Sequence, residues 1–387
     1  LPLPKYFAFE KIKIVVNLVV STAVTAQIGQ GILTCLKNIT LQVSSPKQRD
    51  VWNTSGASCL ELDSIESLNL DRETISAIIA SKQASIPVGT VIKLTYCLNL
   101  VHPKITDSLR PYFLLPVHLF TTDPVLLLDF STAAEMGAGA YSASVSEVIL
   151  YGRDTASSGL DAAIIAGGGY AETDVLENPF TLPGSITNNE QRIQLPTSGY
   201  LMSMLISQFQ GGATFTEKDL SGSVAAGLRS IWQIKVQDQP VLKFTPEDIR
   251  NENDRTRPLN VAGLFNVFND QISTITNAGL LGGSPPVWVT AKNTVSPISF
   301  GGALGPGMLT QDPSTFMLDF LSDESNEISE LGSMFDLFTP GRANQRTEIV
   351  ANFTTPASAA YSSQIRIVMR RMSSDARKFQ SLSRKAA

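Results

Sequence analysis

Apolar and polar residues alternate along this chain far more often than they recur at helical spacing. Phe7, Phe9, Ile12, Ile14, Val16, Leu18 and Val20 keep close to a period of two, which predicts a long strand with one buried face. After glycines at Gly29 and Gly31, Leu33, Leu36, Ile39, Leu41 and Val43 predict a second strand, and Val51 to Leu62 a short third. Val91 to Val101 alternates cleanly. Tyr112 to Phe120 reads as a strand interrupted at Pro116, which suits an edge or a bulge. Between these strands, Ile65, Leu68, Ile75, Ile78 and Ile79 recur at helical spacing. They predict one helix over Ser64 to Ser81, with Asp63 or Ser64 as its cap.

The pattern then restarts. Ile193, Leu195, Tyr200, Met202, Met204 and Ile206 predict a strand kinked at Pro196 and Gly199, and Leu228 to Phe244 alternates again. Thr245-Pro246-Glu247-Asp248 carries a cap, a proline at the first helical position and acidic residues in the first turn. Helical spacing resumes over Leu259 to Thr276. Pro285 to Ala291, Thr315 to Phe320, Thr347 to Phe353 and Gln364 to Arg370 supply further strands. Both halves therefore read as a strand pair, a helix, then more strands.

Their closing segments also echo one another at an offset of about 220 residues. Leu119-Phe120-Thr121 is answered by Leu337-Phe338-Thr339, and Asp129-Phe130-Ser131-Thr132 by Asn352-Phe353-Thr354-Thr355. Tyr141-Ser142 with Val145 to Ile149 is answered by Tyr361-Ser362 with Ile365 to Met369. The echo is expected to be the last hairpin of two successive domains of one type. The fold expected is all-β, two tandem antiparallel jelly-roll (β-sandwich) domains with short helical insertions. The first domain spans residues 1–153 and the second 190–371. Glycine- and proline-rich residues 154–189 form a connecting surface excursion, and 372–387 a basic tail.

Composition narrows the function. Of 387 residues, 17% are charged, against about 25% in ordinary soluble domains, yet no run approaches the 20 or so apolar residues of a membrane-spanning helix. Low charge without a span implies that neighbouring subunits cover much of the surface. The net charge of -5 argues against general nucleic-acid binding. Cys35, Cys59 and Cys97 are odd in number and lack a CxxC spacing, so buried free thiols are expected rather than disulfides or zinc ligands. The first residue is Leu1 rather than Met, as expected of a processed or partial chain, and no charged-then-apolar leader is evident.

The chemistry-bearing patterns are few. His102 and His118 are the two histidines, and both fall on or beside expected strands, where a packed or surface imidazole is expected. There is no GxSxG elbow, and the glycines of 301–307 are not followed by Lys-Ser or Lys-Thr. The acidic run from Asp323 to Glu330 lacks the calcium-loop spacing. No catalytic residue, cofactor or metal ligand is expected, and the chain is not expected to be an enzyme. The C-terminus is different. Arg370, Arg371, Arg377, Lys378, Arg384 and Lys385 cluster there and are expected to face anionic phosphates, of a lipid headgroup or of packaged genome.

Two β-rich halves of one pattern, each with a helix after its second or third strand and with the repeated closing segments Val125 to Arg153 and Thr347 to Arg371, resemble the double jelly-roll major capsid proteins. These belong to tailless icosahedral viruses and phages, often with an internal membrane. The resemblance covers nearly the whole chain and lies in architecture and length. It implies a virion structural protein, assembled in the host cytoplasm, whose homotrimers form pseudo-hexameric capsomers. The partners it implies are other copies of itself, minor capsid or vertex proteins, and an internal membrane or genome. The alternative is a jelly-roll carbohydrate- or receptor-binding module or spike. That reading calls for a groove rich in exposed aromatics, whereas Trp52, Trp232 and Trp288 fit more readily in cores or interfaces.

Overall fold

The computed structural model describes residues 1–4, 7–27, 31–44, 48–66, 86–105, 107–182, 189–196, 199–211, 216–217, 231–246, 248–249, 315–321, 335–336, 347–353 and 362–372. In the first part of the chain these form β1 (Ala8–Gln27), β2 (Leu36–Ser44), β3 (Gln48–Thr54), α1 (Gly56–Glu66), β4 (Val91–Asn99), β5 (Val125–Phe130), α2 (Ala133–Met136) and β6 (Gly137–Arg153). Next come α3 (Leu160–Ala166), β7 (Thr173–Leu182), β8 (Asn189–Gln194), β9 (Tyr200–Gly211) and β10 (Thr216–Glu217). Then follow β11 (Trp232–Val236), β12 (Gln239–Phe244), β13 (Thr315–Asp319), β14 (Phe335–Asp336), β15 (Thr347–Phe353) and β16 (Ser362–Met372).

One set of strand pairings occurs twice. β1 pairs with β4 and β6, while β2 pairs with β3 and β5. In the second half β9 pairs with β13 and β16, while β11 pairs with β12 and β15. All eight pairings are antiparallel. A helix follows the β2–β3 hairpin as α1. Helical backbone likewise opens after β11–β12 at Pro246, where Thr245 Oγ1 accepts the Asp248 N–H at 3.1 Å. Each half is thus a jelly roll of two facing sheets. The halves are joined because β7 pairs with β16 along ten residue pairs and runs parallel to β3 at Trp52↔Val175 and Asn53↔Leu176. A nine-stranded sheet therefore passes from one half into the other.

Alternation explains the cores. Ile12, Ile14, Val16, Leu18 and Val20 of β1 point inward and meet Ile39, Leu41, Trp52, Leu94, Tyr96 and Leu98. Each fully buried aliphatic side chain contributes roughly 1.5–3 kcal/mol. The second core gathers Ile193, Met204, Ile206, Trp232, Ile234, Phe316, Ile349, Ile365 and Ile367. A third cluster, with Val101, Ile105 and Phe113 on one side and Tyr200, Met202, Leu321 and Met372 on the other, lies at the seam between the halves.

Several expected elements differ. The repeated closing segments are not hairpins: β5 joins β2 whereas β6 joins β1, in the opposite sheet, and β15 and β16 are split in the same way. The turn is made by α2, where Glu135 accepts the Thr132 N–H at 2.8 Å, and by Gly137 at φ 150°. The third strand ends at Thr54, and α1 starts at Gly56, ahead of the expected cap, because Ser55 turns the chain and accepts the Ser58 N–H. A Cβ on Gly56 would fall 2.6 Å from the Leu36 carbonyl oxygen, so glycine lets the helix close onto β2. In place of the strand expected over Tyr112 to Phe120 stand two 3-10 turns, Arg110–Phe113 and Val117–Leu119, since Pro111 and Pro116 donate no ladder hydrogen bond. The expected strand kinked at Pro196 is two strands, β8 and β9, in different sheets. The stretch 154–189 holds α3 and β7. The rest of the helix expected to Ser81, the helix over Leu259 to Thr276, the strand over Pro285 to Ala291, and 301–307 and 323–330 lie outside the described residues.

Candidate functional site

Among the described residues, a cluster of buried polar side chains lies at the seam. β16 is buried on both faces: Ile365, Ile367 and Met369 enter the second core, while Val368 and Arg370 face the first half. Arg370 is 1% exposed, and its guanidinium engages Glu66 bidentately, Nε to Oε1 at 2.9 Å and Nη2 to Oε2 at 2.6 Å. Nη1 donates to the Asn99 carbonyl at 2.7 Å, and the group lies 5.7 Å from the centre of the Trp52 ring. The Ser203 hydroxyl, from β9, donates to Glu66 Oε1 at 3.1 Å. Glu66, Asn99 and Trp52 come from the first half, and Arg370 and Ser203 from the second.

α1 supplies the acidic side of this lock. Its last residue is Glu66, and nearer its start Glu61 accepts from Ser207 of β9 at 3.2 Å. Burial pushes the Glu66 carboxyl upward, against the pull of Arg370 and Ser203. A bidentate bond to a guanidinium, which stays charged, holds it as the carboxylate at neutral pH. His102 lies beside the pair, 3.6 Å from Glu66 Oε1, and its Nδ1 accepts the Lys104 N–H at 3.1 Å. Burial, then the positive charges of Arg370 and Lys104, hold the imidazole well below its ordinary value, so it is neutral. Further links cross the seam: Lys104 with Asp319 at 2.9 Å, and the Ser55 N–H with Glu177 of β7 at 2.7 Å.

Two of the six basic residues expected in the tail are therefore misplaced by that reading. Arg370 is sealed at the seam. Arg371 binds Asp174 of β7 bidentately, at 3.0 and 3.1 Å. Both belong to β16, whose ladder with β7 and β9 holds them inside the fold. Arg377, Lys378, Arg384 and Lys385 lie outside the described residues. Glu66 and His102 gave little local signal, because their partners are distant in sequence. The available sign was an arginine on an alternating apolar strand in a chain poor in charge.

A second group of polar side chains lies around Asp161. His118 Nε2 lies 3.0 Å from Asp161 Oδ1, which also accepts from the Tyr170 hydroxyl; burial and Asp161 push that phenol up to about 12. Tyr170 also lines an open cavity of about 230 Å³ with Phe113, Leu115 and Phe120, rimmed by the Arg49–Glu172 ion pair. Cys35, Cys59 and Cys97 are buried and in no disulfide, and burial pushes Cys35 up to about 12. Among the described residues, no three His, Cys, Asp or Glu side chains gather as metal ligands, and no helix is long and apolar enough to cross a membrane.

No protein-family profile matches the chain, and no curated protein matches it. Solved structures do. The STIV major capsid protein matches with a TM-score of 0.53 and 12% identity, covering 96% of this chain and 91% of that one. A chain from the atomic structure of Sulfolobus Turreted Icosahedral Virus matches at 0.53 and 11%, covering 100% and 93%. A chain of the PBCV-1 virus capsid matches at 0.51 and 10%, covering 96% and 90%. At these identities the likeness is one of fold, and the fold is the tandem jelly roll expected from the alternating pattern.

Proposed function

We propose that this chain is the major capsid subunit of an icosahedral virion, three copies forming a capsomer of near-hexagonal outline. The observation that carries this reading is end-to-end likeness to capsid proteins: 96% of this chain aligns with 91% of the STIV protein, both jelly rolls included. The doubled pairing pattern supports it, because a trimer of duplicated barrels presents six similar units and can tile a closed lattice through repeated contacts. So does the scarcity of charge, which suits a surface mostly covered by copies of itself.

The role is structural rather than catalytic. In support, the charges at the seam pair with one another, buried Glu66 with Arg370 and half-buried Asp174 with Arg371. The functional division is residues 1–153 and 190–371 as the two barrels, 154–189 as the connection and 372–387 as the tail. Residual tail charges Arg377, Lys378, Arg384 and Lys385 would hold the shell to an internal membrane or to the genome, and minor capsid or vertex proteins would complete it. Its place is the virion, after assembly in the host cytoplasm.

Electron microscopy of the purified protein, with native mass measurement, tests the reading. Trimers with a hexagonal outline are expected. A stable monomer across the accessible concentration range overturns it.

A further inference from the structure

β16 ends at Met372, and the chain continues as residues 373–387, outside the described residues. Register fixes where that continuation starts and which way it heads. β16 runs antiparallel to β7, with Arg371 opposite Asp174 and Met372 opposite Thr173. Carried on in the same direction, the chain passes Glu172, Ala171 and Tyr170, the residues that lead into β7. Met372 is itself buried in one cluster with Phe113 and Ala171, and Tyr170 packs against that cluster.

The same residues line the open cavity of about 230 Å³. Phe113, Leu115, Phe120 and Tyr170 contribute apolar walls, while Thr173, Ala171 and Glu172 bring the start of β7 to it. Leu119 and Ile165 also line it and are 48% and 55% exposed, so apolar surface there is left to water. Sites for drug-sized ligands hold roughly 300–1,000 Å³. The smaller volume here suits one large side chain rather than a whole small molecule.

The C-terminal segment supplies that side chain. Its first large apolar residue is Phe379, seven positions beyond Met372. Seven extended residues reach up to about 23 Å, and the cavity wall begins at Thr173, the partner of Met372 in the ladder. A phenyl ring matches walls that include Phe113, Phe120 and Tyr170, because aromatic rings favour edge-to-face and offset contact. The charges agree as well. Arg377 and Lys378 directly precede Phe379, and the Glu172 side chain at the rim stays 53% exposed although it pairs with Arg49.

We propose that Phe379 seats in this cavity of its own chain, folding the C-terminal segment back over the start of β7 and against α3. Seating the ring holds Arg377 and Lys378 beside Glu172. The basic residues of the tail then stand at a fixed place next to the first half instead of trailing from the second. The contact lies within one copy, so it stands or falls independently of assembly into capsomers.

The test is cysteine cross-linking of the full chain. The three native thiols are buried, so introduced surface cysteines react selectively. Phe379→Cys combined with Ile165→Cys should link within one chain under mild oxidation or with a short thiol cross-linker. Phe379→Cys combined with Val241→Cys, on β12 and 58% exposed, should not. As a second measure, Phe379→Ala should speed hydrogen exchange of α3 and of the Ala171 N–H, which bonds the Tyr112 carbonyl at 2.6 Å, at least tenfold, and leave β11 and β12 unchanged. Phe379→Leu, which keeps an apolar side chain, should restore most of the protection. Cysteines at 379 and 165 that stay unlinked overturn the proposal, as do equal yields with 165 and 241. So does linkage between chains when the two single variants are mixed, which would seat the ring in a neighbour's cavity, and so does equal exchange in the wild type and Phe379→Ala. None of these results bears on the capsid reading, which the trimer measurement decides separately.

Discussion

Arg370 on the last described strand and Glu66 at the end of α1 are 304 positions apart and form a buried, bidentate ion pair across the seam between the two jelly rolls. Neither side chain is more than 1% exposed. Removing one partner leaves the other charged and unpaired in a low-dielectric interior, whereas replacing both with apolar groups does not. Arg370→Leu is therefore expected to destabilise the fold by about 3–5 kcal/mol. The double variant Arg370→Leu/Glu66→Leu should recover much of that loss. Urea unfolding of the wild type, both single variants and the double variant measures the coupling, and strictly additive losses would contradict it.

His102 makes the seam sensitive to acid. Its folded value lies well below the ordinary 6.5, through burial and then the charges of Arg370 and Lys104. Below about pH 6.5 the unfolded chain takes up a proton that the folded chain refuses, so stability from this group is present above that pH and is lost as the pH falls. The loss is at most about 1.4 kcal/mol per pH unit. Unfolding free energies measured from pH 7.5 to 5 should fall more steeply for the wild type than for His102→Gln. Parallel curves would show that His102 contributes nothing to the acid response.

Much of the architecture is legible in alternation alone. Ile12, Ile14, Val16, Leu18 and Val20 mark the inner face of β1 without help from any neighbour. The echo of Val125 to Arg153 in Thr347 to Arg371 reveals the doubled plan. Alternation is silent on which sheet a strand joins, however, and so β5 and β6 look like a hairpin although Thr132, Glu135 and Gly137 carry the chain across the sandwich. The seam was hidden for a related reason. Arg370 and Arg371 look like the start of a basic tail because their partners, Glu66 and Asp174, are remote in sequence. What sets them apart is the period-two run of Ile365, Ile367 and Met369 that precedes and interleaves with them.

The four basic residues beyond β16 give a separable prediction. Each lysine or arginine near an anionic surface contributes about 1 kcal/mol at modest ionic strength. Deleting Ser373 to Ala387, which removes Arg377, Lys378, Arg384 and Lys385, should leave trimers intact and weaken sedimentation with phosphatidylserine vesicles or retention on nucleic acid. Binding that is equal with and without these residues removes the anchoring role.

Gly56 tests how tightly the first helix is set against its sheet. A Cβ there would stand 2.6 Å from the Leu36 carbonyl oxygen and 2.8 Å from a Tyr96 ring carbon. The first neighbour is backbone of β2, and Tyr96 is fully buried with its hydroxyl bonded to the Leu33 carbonyl at 3.1 Å, so neither gives way freely. Alanine is ordinarily the better helix former by about 1 kcal/mol, and in an open helix Gly→Ala would stabilise. Here the steric term wins: overpacking of this kind costs typically 1–3 kcal/mol. Because α1 carries Glu61 and Glu66 to the seam, displacing it also loosens the bonds to Ser207, Ser203 and Arg370. Gly56→Ala is therefore expected to lower the melting temperature, and to lower it less in a background that already lacks the ion pair. A variant as stable as the wild type would mean that β2 and α1 can move apart at no cost.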